Sequence, residues 1–311
     1  MKVDWTQSWN DPLEQVRPTQ EDFDRIGSAT TSVQNVLSNN WEWRSDIHSV
    51  TVGGSVEKGT LLKGHLEVDI VVVMGGSECR ETYLESFRQC IQQMWMIHEA
   101  RCTRQSVQFR QSSSKVDVDL VFTYSMEASC ALEVFSRRKE FQPRHGGKRS
   151  RCATDFDLLR DSSANEAKEQ VRLIREQPQH VKNVIILAKA LKDRFFRAAH
   201  IYLPSYVVEI AVLSLWQDPG SWHLDLDASL CKVFELLRDL DSTYVCVLSS
   251  RAASYSVTQE SVRSYWQGSQ SMRSGALVVD PINPLMNVAR LVDVAAVRKR
   301  SQAVLHKVWG A

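Results

Sequence analysis

The sequence lacks the features that mark three large classes of protein. Its longest apolar runs, such as 70–73 and 184–188, are too short to cross a membrane. Its seven cysteines are odd in number, widely spaced and without a Cys-x-x-Cys pair, which argues against a disulfide framework or a zinc ribbon. The N-terminal residues carry early acids and no apolar core, so we expect no secretory signal peptide. These absences predict reduced thiols and a cytoplasmic or nuclear protein.

The net charge of the chain is close to zero. The 311 residues hold 38 Lys and Arg against 37 Asp and Glu, a formal net charge of +1, which excludes a uniformly basic chain. The sum hides a segregation, however: residues 1–50 carry four basic and eight acidic side chains, whereas residues 136–151 carry seven basic and one acidic. A local basic surface for a phosphate-bearing partner is therefore compatible with the neutral total.

Length and hydrophobic pattern predict two domains. Hydrophobic residues make up 43% and charged residues 24%, as in ordinary globular proteins. The periodicity predicts helices over 10–38, 81–97, 184–195, 206–213 and 230–237, and strands over 48–53, 67–74, 106–110 and 115–122. Pro204 is expected to start one of these helices and Asp227 to cap another. We predict an α/β domain over 1–150 and a helical domain over 151–311, divided in the basic, Gly- and Pro-containing segment.

A glycine-rich turn follows the first predicted strand. Gly53, Gly54 and Ser55 come directly after it, and Lys58 and Thr60 follow within five residues. Small residues at such a turn allow backbone N–H groups to approach phosphate oxygens, and a serine adds a hydroxyl donor. The pattern indicates a phosphate site, although alone it is equally typical of an ordinary hairpin turn.

Paired carboxylates occur on two of the predicted strands. Glu67 and Asp69 share one face of the first because residues i and i+2 of a strand point the same way, and Asp117 and Asp119 share one face of the second. Side by side, such strands would form an oxygen-rich site for a hard divalent cation such as Mg²⁺. The alternative is two strands with solvated outer faces. The occurrence of both acid pairs with the Gly-Ser turn favours the functional interpretation.

These residues carry a family resemblance. The stretch GGSVEKGTLLKGHLEVDIVVVM resembles the nucleotidyltransferase signature of the 2′-5′-oligoadenylate synthetases and the related cyclic GMP-AMP synthase-like enzymes. LPSYVVEIAVLSLW (203–216) and ALVVDPINPLMNVAR (276–290) resemble later motifs of the synthetases. The resemblance implies an α+β fold: a mixed sheet of the polymerase β-like nucleotidyltransferases with helices, followed by a helical C-terminal domain.

The resemblance also implies roles for individual residues. Two Mg²⁺ ions would be held by Glu67, Asp69 and Asp117, where Asp117 is selected over Asp119 by the alignment of Phe122. The nucleotide would be bound by Gly54, Ser55, Lys58, Thr60, Lys189, Ser205 and Tyr206. Lys189 would contact donor phosphates and Tyr206 would stack on a base. Alternatives are a solvated helix face for Lys189, a core position for Tyr206, and a supporting role beside the ligands for Asp119.

The expected activity is template-independent joining of ATP into 2′-5′-linked oligoadenylates with release of pyrophosphate. Two features, the Glu67-x-Asp69 pair and Ser205 before Tyr206, are closer to the cyclic dinucleotide synthases, so a cyclic product is the second hypothesis. Ile186 stands where the synthetases have an acceptor-binding arginine, which leaves acceptor recognition unexplained. A catalytically silent, RNA-binding scaffold is the third hypothesis, and the intact carboxylates and Gly-Ser turn argue against it.

Partners follow from the same resemblance. ATP is the expected substrate, with other nucleoside triphosphates as alternatives. Double-stranded RNA is a candidate activator that the basic clusters at 137–151 and 298–300 would suit, whereas the acidic N-terminal helix would not. The 137–151 cluster is equally suited to substrate phosphates. The sequence leaves the linkage, length and base preference of the product open, together with the need for RNA and the oligomeric state.

Overall fold

The structure is a computed structural model that describes most of the chain in seven stretches. They are residues 10–75, 80–95, 99–103, 106–124, 166–217, 225–267 and 276–310. The basic segment 136–151 and the predicted domain boundary at 150 lie outside the described residues, so their structural assignment stays a prediction. Within the described part of the chain, no helix is both long and apolar enough to cross a membrane.

The described residues form two compact units that alternate along the chain. The sheet unit holds the described residues of 18–128 and 157–175, and the helical unit holds those of 1–17 and 176–311. The strands are β1 (Ile47–Val52), β2 (Glu67–Met74), β3 (Arg101–Cys102), β4 (Ser106–Gln111), β5 (Val116–Tyr124), β6 (Tyr244–Cys246) and β7 (Leu277–Val279). The α-helices are α1 (Asn10–Val16), α2 (Gln20–Asn35), α3 (Gly54–Lys58), α4 (Arg80–Trp95), α5 (Ala167–Arg175), α6 (Gln179–Phe196), α7 (Ser205–Trp216), α8 (Leu226–Arg238), α9 (Gln259–Gln267) and α10 (Val294–Trp309).

The sheet unit is built on a mixed five-stranded sheet with the order β1-β2-β5-β4-β3. β2 and β5 run parallel at its centre, and the other neighbouring pairs are antiparallel. The strongly β-branched sequence of β2 explains its central place, because Val and Ile pack well on both faces of a pleated sheet. This mixed sheet, followed by mainly helical structure in the described residues from 166 onward, confirms the predicted α+β fold.

The core of the sheet unit lies on the face of the sheet opposite the carboxylates. Val68, Ile70, Val118 and Leu120 alternate with the acids and are buried there. Helices α2 and α4 contribute to the same core. Four aromatic rings meet in it with centroids 5.2 to 6.4 Å apart: Trp41, Tyr83, Phe87 and Phe122. Phe122 joins β5 to this aromatic cluster.

The predicted N-terminal helix over 10–38 is divided in two. Pro18 lacks an N–H and cannot continue α1, and Thr19 then caps α2. The Thr19 hydroxyl accepts from the Asp22 backbone N–H at 3.2 Å, and the Asp22 carboxylate accepts from the Thr19 backbone N–H at 2.8 Å, which completes a capping box. α2 then runs into a π-helical turn, Val36–Asn40.

The helical unit is organised around α6, whose middle residues are almost all buried. The helices α1, α7, α8 and α10 all contact α6. Arg17, the residue after α1, donates to the side-chain oxygen of Asn183 in α6. The prediction that Asp227 caps α8 is wrong. The helix begins at Leu226, and Asp225 accepts from the Ala228 backbone N–H at 2.7 Å. Asp227 instead accepts from the Trp309 indole N–H at 2.7 Å.

Candidate active site

Four carboxylates lie on one face of the sheet, where β2 and β5 pair. The parallel register places Glu67 opposite Asp117 and Asp69 opposite Asp119. Side chains that pair across a parallel ladder share a face, and the intervening apolar residues of both strands are buried on the other. The central strands thus carry a concentrated negative charge to one surface. This juxtaposition is the one that the two sequence patterns predicted.

The two aspartates of β5 have different neighbours. Asp117 lies beside Arg110 of β4, with 3.7 Å between the carboxylate and the guanidinium. Asp119 accepts through Oδ2 from the side-chain amide of Gln108 at 3.0 Å. Its other oxygen, Oδ1, is buried and has no hydrogen-bond partner among the described residues. A buried carboxylate oxygen without a donor is costly, which indicates that Asp119 is fitted to a cation.

The turn after β1 packs directly against Asp69. The Gly53 backbone N–H donates to the Asp69 carbonyl at 2.7 Å, which extends the ladder from β1 into the turn. Gly54 has a φ of +67°, and a Cβ added to it would lie 2.2 Å from Asp69 Oδ2. A residue with a side chain would therefore be strained in its backbone and would collide with the carboxylate. Glycine is required here for close approach as well as for conformation.

The predicted Gly-Ser turn is in fact the start of a short helix, α3. Its last residue, Lys58, is buried, and Gly59 ends the helix in a left-handed conformation. The Thr60 backbone N–H donates to the Ser55 carbonyl at 2.9 Å, and Thr60 is fully buried. Ser55 is partly exposed. Thr60 therefore supports the turn from within, whereas Ser55 presents its hydroxyl closer to the surface.

Helix α5 supports α3 from the same unit. The two helices are in contact, and the Arg175 guanidinium lies 3.8 Å from the Glu57 carboxylate. Both side chains are substantially exposed, so this ion pair contributes little to stability. The ion pair places a positive group, the Arg175 guanidinium, at the end of α5 and beside α3.

The carboxylate face suits a divalent metal in chemistry and in backbone placement. Mg²⁺ prefers oxygen ligands, and Glu67, Asp69, Asp117 and Asp119 offer four carboxylates, one with an oxygen that no donor satisfies. Over the described residues, no three His, Cys, Asp or Glu side chains are already gathered as a metal site. Asp117 and Asp119 are instead turned toward Arg110 and Gln108 of β4. Rotation of the Asp119 side chain, with the backbone unchanged, would turn its oxygens toward the side of Asp69, which lies opposite it.

The other predicted nucleotide-binding residues belong to the helical unit. Lys189 is buried in α6, and its ammonium lies 3.5 Å from the equally buried Glu209 carboxylate of α7. The alternative of a solvated helix face is therefore excluded for Lys189. The two side chains form a buried ion pair, in which each group compensates the other for the loss of water.

Ser205 and Tyr206 form the first turn of α7, directly after Pro204 as predicted. The Ser205 hydroxyl accepts from the Lys192 ammonium at 2.9 Å. The Tyr206 hydroxyl donates to Asp280 at 3.3 Å, while its ring remains partly exposed. Tyr206 is therefore neither a fully buried core residue nor a free surface residue.

Sequence reasoning missed three of these contacts. Glu209, Lys192 and Asp280 each hold a predicted site residue, but their partners are distant in sequence. Asp280 lies in the Asp-Pro stretch that carried part of the family resemblance. The sequence therefore marked this residue, but it did not indicate the contact with Tyr206. The smaller basic cluster at 298–300 also differs from a free binding surface, because Arg298 pairs with Asp241 and donates to the Arg238 carbonyl at 3.4 Å.

Comparison with known protein families gives a match in the C-terminal part of the chain. Residues 160–308 match the model of the C-terminal domain, domain 2, of 2′-5′-oligoadenylate synthetase 1. None of the curated proteins matches the chain.

Several solved structures share the fold at low sequence identity. CdnC of E. coli MS115-1, in complex with HORMA-deltaN, is 17% identical over 95% of this chain and 89% of its own, with a TM-score of 0.59. The CD-NTase CdnG of Bradyrhizobium diazoefficiens, in complex with GTP, is 11% identical over 96% of this chain and 88% of its own, with a TM-score of 0.57. A Cid1 poly(U) polymerase variant bound to MgATP is 14% identical over 96% and 92%, with a TM-score of 0.60. Together with the synthetase domain, these matches confirm the predicted resemblance to the oligoadenylate synthetase and cyclic GMP-AMP synthase-like nucleotidyltransferases.

Proposed function

We propose that the protein is a template-independent nucleotidyltransferase that joins ATP into 2′-5′-linked oligoadenylates and releases pyrophosphate. The observation that carries the proposal is the carboxylate face of β2 and β5 with the Gly54 turn packed against Asp69. An acid-rich face beside a phosphate-binding turn suits a reaction in which a triphosphate is held and pyrophosphate leaves. The match of residues 160–308 to the synthetase domain supports the oligoadenylate product.

Divalent ions held by this face would supply charge neutralisation for the attacking hydroxyl and for the departing pyrophosphate. We propose Glu67, Asp69 and Asp119 as the ligands, in place of the Asp117 that the alignment of Phe122 selected. Asp119 lies opposite Asp69 and has a buried oxygen without a donor, whereas Asp117 lies beside the Arg110 guanidinium. Asp117 would then contribute negative charge at the rim of the site.

The residues of the chain would bind and orient the nucleotides. Backbone N–H groups at Gly54 and Ser55, with the Ser55 hydroxyl, would hold the donor triphosphate so that its α-phosphorus meets the 2′-hydroxyl of the acceptor. Tyr206 would stack on a base. Lys189 would stabilise the charge on the leaving pyrophosphate, provided that its ammonium is shared between Glu209 and a phosphate. Lys58 and Thr60, both buried, would support the turn.

A cyclic dinucleotide is the second candidate product. The Glu67-x-Asp69 pair and Ser205 favour it, and the fold resemblance includes CdnC, also solved with ATP, and the CD-NTase CdnG with GTP. Both reactions use the same face and turn, so the carboxylates do not separate them. The difference lies in whether a linear intermediate is released or is turned for a second attack within the same site.

Product analysis separates these activities. The full chain is incubated with Mg²⁺ and ATP, or with ATP and GTP, and products are identified by mass and by digestion with nucleases specific for 3′-5′ linkages. A linear ladder that resists these nucleases supports the oligoadenylate product, whereas a single cyclic species supports the second candidate. Extension of an added RNA 3′ end would contradict both and indicate a tailing enzyme. No product, together with unchanged nucleotide binding in Asp69→Asn, would leave only the silent scaffold.

Activation by double-stranded RNA is tested in the same assay. Each reaction is run with and without a long RNA duplex at low and at physiological salt, since phosphate contacts weaken as salt increases. An increase in rate that salt suppresses would support RNA as an activator. A rate that is independent of RNA would direct the 137–151 basic cluster to another role.

A further inference from the structure

The Asp-Pro stretch after β7 is a buried loop that its own side chains satisfy. Buried loops are rare because their backbone polar groups lose water. Here Asp280 Oδ1 accepts from the backbone N–H groups of Ile282 at 2.8 Å and Asn283 at 3.3 Å. Asn287 joins the end of the loop to β7: its side-chain oxygen accepts from the backbone N–H groups of Val278 and Ala289, and its amide group donates to the Ala276 carbonyl.

The loop is also stiff and anchored from outside. Pro281 and Pro284 fix two of its backbone torsions. The Trp266 indole N–H donates to the Pro284 carbonyl at 3.0 Å, and the Ser249 backbone N–H donates to the Pro281 carbonyl at 3.2 Å. Asp280 itself is 1% exposed. The carboxyl of Asp280 is therefore held in one position by the loop around it.

Tyr206 reaches this fixed group with its hydroxyl. The bond from Tyr206 Oη to Asp280 Oδ1 is 3.3 Å long and joins the first turn of α7 to the loop, 74 residues further along the chain. On the other side of the same turn, Lys192 donates to the hydroxyl of Ser205 at 2.9 Å. The first turn of α7 is thus held at two consecutive residues by two different elements.

We propose that Asp280 is a positioning residue for nucleotide binding, which acts by fixing the ring of Tyr206 in the orientation that stacks on a base. This inference rests on the proposed function, because it gives Tyr206 the stacking role assigned there. A ring fixed before the nucleotide arrives loses less conformational freedom on binding, so the hydroxyl bond increases affinity without touching the ligand.

The test measures binding of 2-aminopurine ribonucleoside triphosphate, an adenine analogue whose fluorescence is quenched when its base stacks. Tyr206→Phe removes the hydroxyl and leaves the loop intact. Asp280→Asn keeps an acceptor for the loop N–H groups and weakens the bond to the phenol by removing its charge. We expect each variant to weaken binding about three- to tenfold, the range of one hydrogen bond, and to reduce quenching at saturation.

The double variant separates positioning from simple stability. If Asp280 acts through Tyr206, Asp280→Asn has little further effect on affinity in the Tyr206→Phe background. Asn287→Ser is the matched control: it disturbs the same loop without removing a group that bonds Tyr206, and its effect on affinity should be small and equal in both backgrounds.

The remaining outcomes are decisive in different ways. If Tyr206→Ala abolishes quenching while Tyr206→Phe and Asp280→Asn bind like the wild type, the positioning role is wrong and the stacking role stands. If Tyr206→Ala itself binds and quenches like the wild type, the stacking role and the inference fail together. Additive losses in the double variant would assign Asp280 a purely structural role and contradict the inference.

Discussion

A Cβ atom on Gly54 would lie 2.2 Å from Oδ2 of Asp69, so the turn after β1 and the first carboxylate strand fit each other only at a glycine. The left-handed backbone of Gly54 and the close approach of the Asp69 carboxylate each favour a residue without a side chain. This contact joins the two features that the sequence presented separately, the Gly-Ser turn and the acid pair. It also makes the glycine an expected determinant of activity.

Gly54→Ala should abolish nucleotide transfer, reducing the rate by at least about a hundredfold, because the added methyl displaces the Asp69 carboxylate. The measurement is the initial rate of product formation from ATP, together with the free energy of unfolding. The left-handed backbone alone should cost about 1–2 kcal/mol of stability.

Gly64→Ala is the matched control for this substitution. Gly64 has a φ of +74° and nothing within 4 Å of an added Cβ. Alanine at this position would therefore have the same backbone strain as at Gly54 but no collision. It should lose similar stability and keep its activity. Equal activities in the two alanine variants would show that the contact with Asp69 does not matter.

The two aspartates of β5 should differ in importance. Asp119→Asn should reduce the rate by about a thousandfold or more, since it removes a proposed metal ligand, whereas Asp117→Asn should reduce it by less than about tenfold. Rates are measured over a range of Mg²⁺ concentrations. The opposite order would restore Asp117 as the ligand and leave Asp119 in the supporting role.

Lys189→Met should lower both the stability and the activity of the protein. The substitution leaves the Glu209 carboxylate buried without its ammonium partner, which typically costs about 3–5 kcal/mol of unfolding free energy. Chemical denaturation measures the loss. Combining it with Glu209→Gln should recover part of the stability without recovering activity if Lys189 also contacts phosphate. Recovery of both would assign Lys189 to the core alone.

The cap of α8 offers a test of the helical unit that is independent of function. Asp225→Ala should lower the free energy of unfolding by about 1 kcal/mol, because it removes the acceptor for the Ala228 backbone N–H. Asp227→Asn, which retains an acceptor for the Trp309 indole, should cost much less. A larger loss at Asp227 would contradict the observed start of the helix.

The periodic parts of the fold could be predicted from the sequence because their signals are local. The run Glu67–Met74 alternates acids with β-branched residues at its start, and β2 has these same bounds. Errors arose where one residue decides a boundary. Pro18 divides the predicted N-terminal helix. Near the start of α8, two acids could each have served as the N-cap, and the structure shows that Asp225 rather than Asp227 does so.

The candidate site was predictable in its residue types but not in its contacts. The i, i+2 rule places Glu67 with Asp69 and Asp117 with Asp119, but it contains no information on which pairs lie opposite each other. The register of β2 and β5 shows that Glu67 lies opposite Asp117 and Asp69 opposite Asp119. The different neighbours on β4, Arg110 beside Asp117 and Gln108 beside Asp119, then give the two aspartates different surroundings. Long-range partners such as Asp280 for Tyr206 depend on tertiary packing, which no local pattern encodes.

The most direct test of the central claim is pyrophosphate release from ATP by the full chain with Mg²⁺, measured beside Asp69→Asn and a sample containing EDTA. The carboxylate face predicts release in step with the phosphodiester bonds formed, and none from the variant or without the metal. Phosphodiester products made equally well by Asp69→Asn, or release of inorganic phosphate alone, would contradict nucleotidyl transfer at this face.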